Sequence, residues 1–119
     1  MSVSSTSLRL EVCADQSNVL IAAAGDLDAA ASPELWECAQ LAIESAPGHV
    51  IVDLSAIDFM DCAGVNVLVS IQAALAAPSR TLYLDHPSSK VRRVLELSGL
   101  GRRFFVLPPT PEAPRQRAS

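Results

Sequence analysis

Apolar and polar residues alternate through LRLEVCA at positions 8–14. Leu8, Leu10 and Val12 fall on one face and Arg9, Glu11 and Cys13 on the other, which predicts a half-buried strand. The turn cluster DQSN at 15–18 separates it from VLIAAA at 19–24, so the two runs read as a hairpin, broken at Gly25. Beyond GDLDAAA, Ser32 and Pro33 mark a helix start, with serine as N-cap and proline at the first helical position. Leu35, Ala39, Ala42 and Ala46 recur on one face of that helix, Trp36 and Ile43 lie alongside, and Pro47-Gly48 stop it.

The pattern continues with HVIVDL at 49–54, a short β-branched strand, then an elbow and a helix over residues 62–77. TLYLD at 81–85 reads as a further strand. Ser88 or Ser89 caps a helix with Val91, Val94, Leu95 and Ser98 on one side, Gly99 ends it, and FFVL at 104–107 is the last strand. The order β-β-α-β-α-β-α-β predicts an α/β fold. It has a mixed central sheet of about five strands flanked by helices, with the helical crossovers joining parallel neighbours. Residues 8–107 form the domain in this reading. Residues 1–7 are a flexible N-terminus, and PPTPEAPRQRAS at 108–119 is a disordered proline-rich tail.

Composition narrows the picture. The 119 residues suffice for one core, half of them are apolar and only 4% aromatic, so the core has to be aliphatic. No apolar stretch approaches the roughly 20 residues that span a bilayer, and the N-terminus lacks the charged and apolar regions of a signal peptide. The expectation is a cytoplasmic protein without membrane insertion. Cys13, Cys38 and Cys62 are widely spaced, with no CxxC, which speaks against structural zinc. Cys13 and Cys38 are expected as small buried apolar residues. The net charge of −4 disfavours direct nucleic-acid binding. It conceals an asymmetry, because residues 1–79 hold ten acidic residues and one basic residue, whereas residues 80–119 hold three acidic and eight basic. Arg92, Arg93, Arg102 and Arg103 are read as a solvated helix end rather than a binding patch.

The stretch DFMDCAGVNVL at 58–68 places a thiol at the tip of a helix, next to a carboxylate. Asp61 stands where an N-cap belongs and is expected to accept the first free amides. A helix N-terminus favours a thiolate at Cys62, while the neighbouring Asp61 opposes it, so no strong activation is expected. Cys62, Asn66, Ser70, Ala73 and Ala77 share one stripe of small side chains, the face of this apolar helix expected to be exposed. That stripe suits docking of another protein, or equally close packing on a neighbouring element.

VIVDLSAIDFMDCAGVNVL resembles the central segment of STAS domains, specifically bacterial anti-sigma-factor antagonists. GDLDAAASPEL is similar to that family's segment before the first helix, and VRRVLELSGLGRRFFV to its third helix, Ser-Gly-Leu turn and last strand. The resemblance covers most of residues 8–107, in order. It implies a partner-switching protein that binds an anti-sigma factor of the ATP-binding serine-kinase type and frees the sigma factor. It also implies a docking surface of Asp26, Asp28, Asp58, Asp61, Cys62, Ala63, Gly64, Asn66 and Ser70. Gly64 is expected either to permit close approach of the partner or simply to serve helix entry. No cofactor is implied, and a homodimer stays open.

The chain departs from the family's pattern at the switch. Cys62 stands at the position of the phosphoacceptor serine and Ala63 follows it, so no hydroxyl remains at the elbow. Either the antagonist cannot be phosphorylated, or oxidation of the thiol adds the bulk or charge that phosphate otherwise supplies. STAS domains also serve as accessory subunits of ABC-type lipid transporters and as stress-signalling scaffolds, roles that need no serine. Catalysis is not expected. His49 lies at the far end of the strand from Cys62, His86-Pro87 reads as a turn, and Asp26, Asp28 and Asp61 lack the lysine setting of a phosphoaspartate receiver.

Overall fold

The computed structural model describes residues 2–4, 8–76 and 79–107. Six strands form one sheet in sequence order: β1 (Ser2–Ser4), β2 (Leu8–Asp15), β3 (Asn18–Leu27), β4 (Val50–Met60), β5 (Leu82–Asp85) and β6 (Phe105–Val106). The pairs β1–β2 and β2–β3 are antiparallel, and β3–β4, β4–β5 and β5–β6 are parallel. Helices α1 (Ser32–Ser45), α2 (Cys62–Ala76) and α3 (Ser89–Ser98) make the three crossovers, and a 3-10 turn at Gly101–Arg103 precedes β6. The mixed α/β architecture expected from the hydrophobic pattern is therefore present. Strand β1 adds a sixth member from the stretch read as a flexible N-terminus, and residues 108–119 lie outside the described residues.

The helices stand side by side against one face of the sheet. Leu8, Leu10, Ile21, Val50, Val52, Leu54, Leu82 and Leu84 point from the strands into the same core as Leu35, Leu68, Ile71, Leu75 and Val91. Alternation along each strand turns the other set of side chains to the opposite face. There Cys13, Leu20, Ile51, Tyr83 and Phe105 align in register across five strands. Cys13 sits on that face and is exposed, contrary to its expected burial; Cys38 on α1 is buried as expected.

Three local expectations are corrected. The first concerns β4, which does not end at Leu54 but continues to Met60. Its pairing with β3 shifts register between Ala22 and Ala24 and again between Gly25 and Asp26, so β4 carries extra residues at two bulges. A hydrogen bond from the Ser55 amide to Asp53 Oδ1, at 2.9 Å, supports the first bulge. Each bulge advances the inward positions by three residues instead of two. Ile57 and Met60 thus return to the core while Asp58 and Phe59 both face outward.

Gly25 is the second correction, because it does not end β3. The strand passes through it with φ of 106°, a conformation open to glycine at little cost, and runs on to Leu27. The third is Ser32, which is the first residue of α1 rather than its N-cap; that position belongs to Ala31, which has no side chain to offer. The cap is built from Asp28, whose Oδ1 accepts the Ala31 amide at 3.0 Å and whose carbonyl accepts the Ser32 hydroxyl at 2.7 Å. At the other end of α1, the Arg80 guanidinium donates to the carbonyls of Gly48, Ile43 and Ala46. A cation thereby satisfies carbonyls that the helix leaves open, where the negative end of its dipole lies.

Candidate functional site

The elbow forms where the carboxyl ends of the parallel strands β3 and β4 meet the start of α2. Asp26 pairs with Phe59 and Leu27 with Met60, so the end of β3 and the end of β4 lie side by side. The Asp61 amide donates to the Leu27 carbonyl at 3.4 Å, which ties the last turn before α2 to β3. Asp61 caps α2 as expected, its Oδ1 accepting the Ala63 amide at 2.9 Å and the Gly64 amide at 3.3 Å.

Cys62 opens α2 with its side chain exposed. Asn66, Ser70 and Ala73 are exposed along the same stripe, while Val65, Val67, Leu68, Ile71 and Leu75 are buried; Ala77 lies outside the described residues. The small-residue face of α2 thus points away from the core. Asp58 is exposed, and Asp26, Asp28, Asp61 and Ala63 are half-buried. Asp28 is engaged in the α1 cap, so its carboxylate serves the fold as well as the rim of the elbow.

Gly64 differs from Cys62 and Ala63 before it. It is buried, and a Cβ there would lie 2.7 Å from the Leu27 carbonyl oxygen and 2.8 Å from Met60 Cγ. The glycine lets the first turn of α2 press against β3 and β4.

The residue that the sequence reading passed over is Phe59. It is 49% exposed beside Asp58, in a protein with few aromatic residues. The bulge in β4 turns it outward, and no hydrophobic period in SAIDFM signals that. An exposed aromatic between carboxylates is the composition of an interface centre, since a few aromatic side chains usually dominate binding energy.

The elbow gathers an exposed thiol, an exposed aromatic ring and carboxylates. His49 lies at the opposite end of β4, where its Nδ1 accepts the Thr81 amide at 3.0 Å. His86 follows β5 and pairs with Asp85 at 2.7 Å. Neither histidine is brought to Cys62 by the topology. Among the described residues no group of His, Cys, Asp or Glu is arranged to hold a metal ion, and no helix is long and apolar enough to cross a membrane.

Comparison with known proteins agrees with this architecture. The family profile described as "Mlab, STAS domain" matches residues 11–108. The anti-sigma-B factor antagonist of Staphylococcus aureus is 29% identical over 76 residues, which cover 64% of this chain and 70% of the relative. The unphosphorylated form of the anti-sigma factor antagonist SpoIIAA superposes with a TM-score of 0.70 at 24% identity, over 92% of this chain and 97% of that one. An anti-sigma factor antagonist from Mycobacterium paratuberculosis gives a TM-score of 0.75 at 22% identity, over 93% and 95% of the two chains.

Proposed function

The chain belongs to the STAS-domain family, and we propose that it is an anti-sigma-factor antagonist whose phosphorylation switch lacks its hydroxyl. In this reading the protein acts in the cytoplasm by binding. The elbow docks an anti-sigma factor of the ATP-binding serine-kinase type, and the sigma factor is released. The observation that carries the proposal is the exposed Cys62 at the first position of α2, immediately beyond the exposed Phe59 and Asp58. Phe59 supplies the apolar centre of the interface. Asp26, Asp58 and Asp61 supply a rim complementary to a basic partner, and Asn66 and Ser70 extend the contact along α2.

The electrostatics explain why charge at position 62 would break such a complex. A phosphate adds about −1.5 to −2 charge. The Ala63 and Gly64 amides already serve Asp61, so a new anion meets that carboxylate instead of open donors. Cys62 cannot accept phosphate as serine does, and the antagonist is either constitutive or governed by oxidation of the thiol. The test is to incubate wild type and Cys62→Ser with the purified anti-sigma kinase and labelled ATP. Label should enter Cys62→Ser at position 62 and leave wild type unlabelled. No labelling of either protein would remove Cys62 from the acceptor position.

The matched profile's Mlab description favours a second reading, an accessory subunit of an ABC-type lipid transporter. Such a subunit would use the same docking face and would have no need of the hydroxyl.

A further inference from the structure

The charge asymmetry along the sequence becomes, in the folded chain, two features that complement one another. Lys90, Arg92, Arg93, Arg102 and Arg103 all fall on α3 and the turn after it, and all five are exposed. Among the described residues none of them forms an ion pair. Between α3 and the edge strand β6 runs a groove of about 440 Å³, with Pro87, Leu95 and Val106 among its walls and Arg92, Arg102 and Glu96 along it. The Arg92 Nε donates to the Pro87 carbonyl at 3.2 Å, which holds that guanidinium at the groove. An apolar slot edged by two guanidinium groups that form no ion pair among the described residues fits an aromatic side chain accompanied by carboxylates. The elbow presents that combination: Phe59 exposed, with Asp58 exposed beside it, Asp26 opposite Phe59 in the pairing of β3 and β4, and Asp61 just beyond β4.

We propose that the occupant of the α3–β6 groove is the elbow of a second copy of this chain, with Phe59 seated between Pro87, Leu95 and Val106 and Asp58 facing Arg92 and Arg102. Glu96 limits how many carboxylates the groove accepts and so favours one orientation. The two surfaces are different patches of the chain, so the contact is head-to-tail and propagates from copy to copy instead of closing as a two-fold dimer. A copy whose elbow is seated in a neighbour cannot offer it to an anti-sigma factor. Self-association and partner docking therefore exclude each other, and the pool of active antagonist depends on concentration and ionic strength. The self-contact shares the elbow with the docking face proposed above, but the groove is a separate surface, and sedimentation of the chain alone reads self-association whether or not an anti-sigma factor binds.

Sedimentation velocity on the full chain tests this, comparing wild type, Asp58→Arg, Arg102→Asp and an equimolar mixture of the two variants, each checked for folding by circular dichroism. Wild type should grow in mass with concentration and revert toward monomer in high salt. Each variant alone should stay monomeric. The mixture should associate where neither variant does alone, because the intact groove of Asp58→Arg accepts the intact elbow of Arg102→Asp. A wild type that stays monomeric at all concentrations overturns the proposal and leaves the groove to an acidic segment of some other protein. Association that survives Arg102→Asp, or variants that do not combine on mixing, overturn the head-to-tail geometry.

Discussion

Gly64 and Leu27 meet backbone to backbone at the elbow, where a methyl group on Gly64 would come within 2.7 Å of the Leu27 carbonyl oxygen. The same carbonyl receives the Asp61 amide. The joint between α2 and β3 has no room to spare. Gly64→Ala should therefore destabilise the fold by about 1–3 kcal/mol, as other overpacked sites do, even though alanine is the better helix former. A thermal melt reads this directly. An unchanged or raised midpoint would mean that the backbone yields and the close approach is not a constraint.

Arg80 should matter more than a surface arginine. Its guanidinium serves three carbonyls, two of them on α1 or its cap and one from Gly48. Arg80→Met keeps much of the packing and removes the donors, and it should cost about 1–3 kcal/mol. Arg80→Lys, a single point charge in place of a planar fork, should recover only part of that. Chemical denaturation of the three proteins would order them; equal stabilities would remove Arg80 as a clamp.

Ser88 holds α3 by two bonds, accepting the Val91 amide at 3.3 Å and donating its hydroxyl to the Ile57 carbonyl at 3.1 Å. The second bond joins the start of α3 to the bulged half of β4. Loss of an N-cap alone costs about 1 kcal/mol, and Ser88→Ala should exceed that because it also strands a carbonyl. Hydrogen exchange should show faster exchange in the first turn of α3 and around Ile57 together. Faster exchange confined to α3 would mean that the link to β4 contributes nothing.

Burial pushes the Cys38 thiol above its ordinary range, because the thiolate is poorly solvated on the inner face of α1. A group with a raised folded value releases its proton more readily when unfolded, so its contribution is intact at neutral pH. That contribution is lost as pH rises through the unfolded thiol value of about 8.5 toward the folded one. Thermal midpoints measured upward from pH 7 should fall more steeply for wild type than for Cys38→Ala. Parallel slopes would show that the alkaline loss originates elsewhere.

The strand–helix order and the α2 stripe were legible because periodicity records which face is buried. Cys13 shows the same logic ignored. Its alternation with Leu10 and Val12 already placed it with Arg9 and Glu11, and only the general habit of cysteine argued for burial. The bulges of β4 were not legible, since SAIDFM follows neither period and its shape is set by pairing with β3. For that reason no periodic signal marks Phe59 as exposed. Arg80 and Gly64 also needed the fold, because their partners lie in distant parts of the sequence or are backbone atoms. Asp61 was legible because a cap acts on the amides next to it, whereas Asp28 took over the role assigned to Ser32 through a turn that begins four residues earlier.

The central claim is that the elbow around Cys62 docks an anti-sigma factor and is broken by negative charge. The most direct measurement is affinity capture from the source cell's lysate under reducing conditions, with wild-type protein beside Cys62→Asp. Wild type should recover an ATP-binding, kinase-type anti-sigma factor, and Cys62→Asp should lose it. Equal recovery of that partner by both proteins, or recovery of transporter subunits in its place, would contradict it.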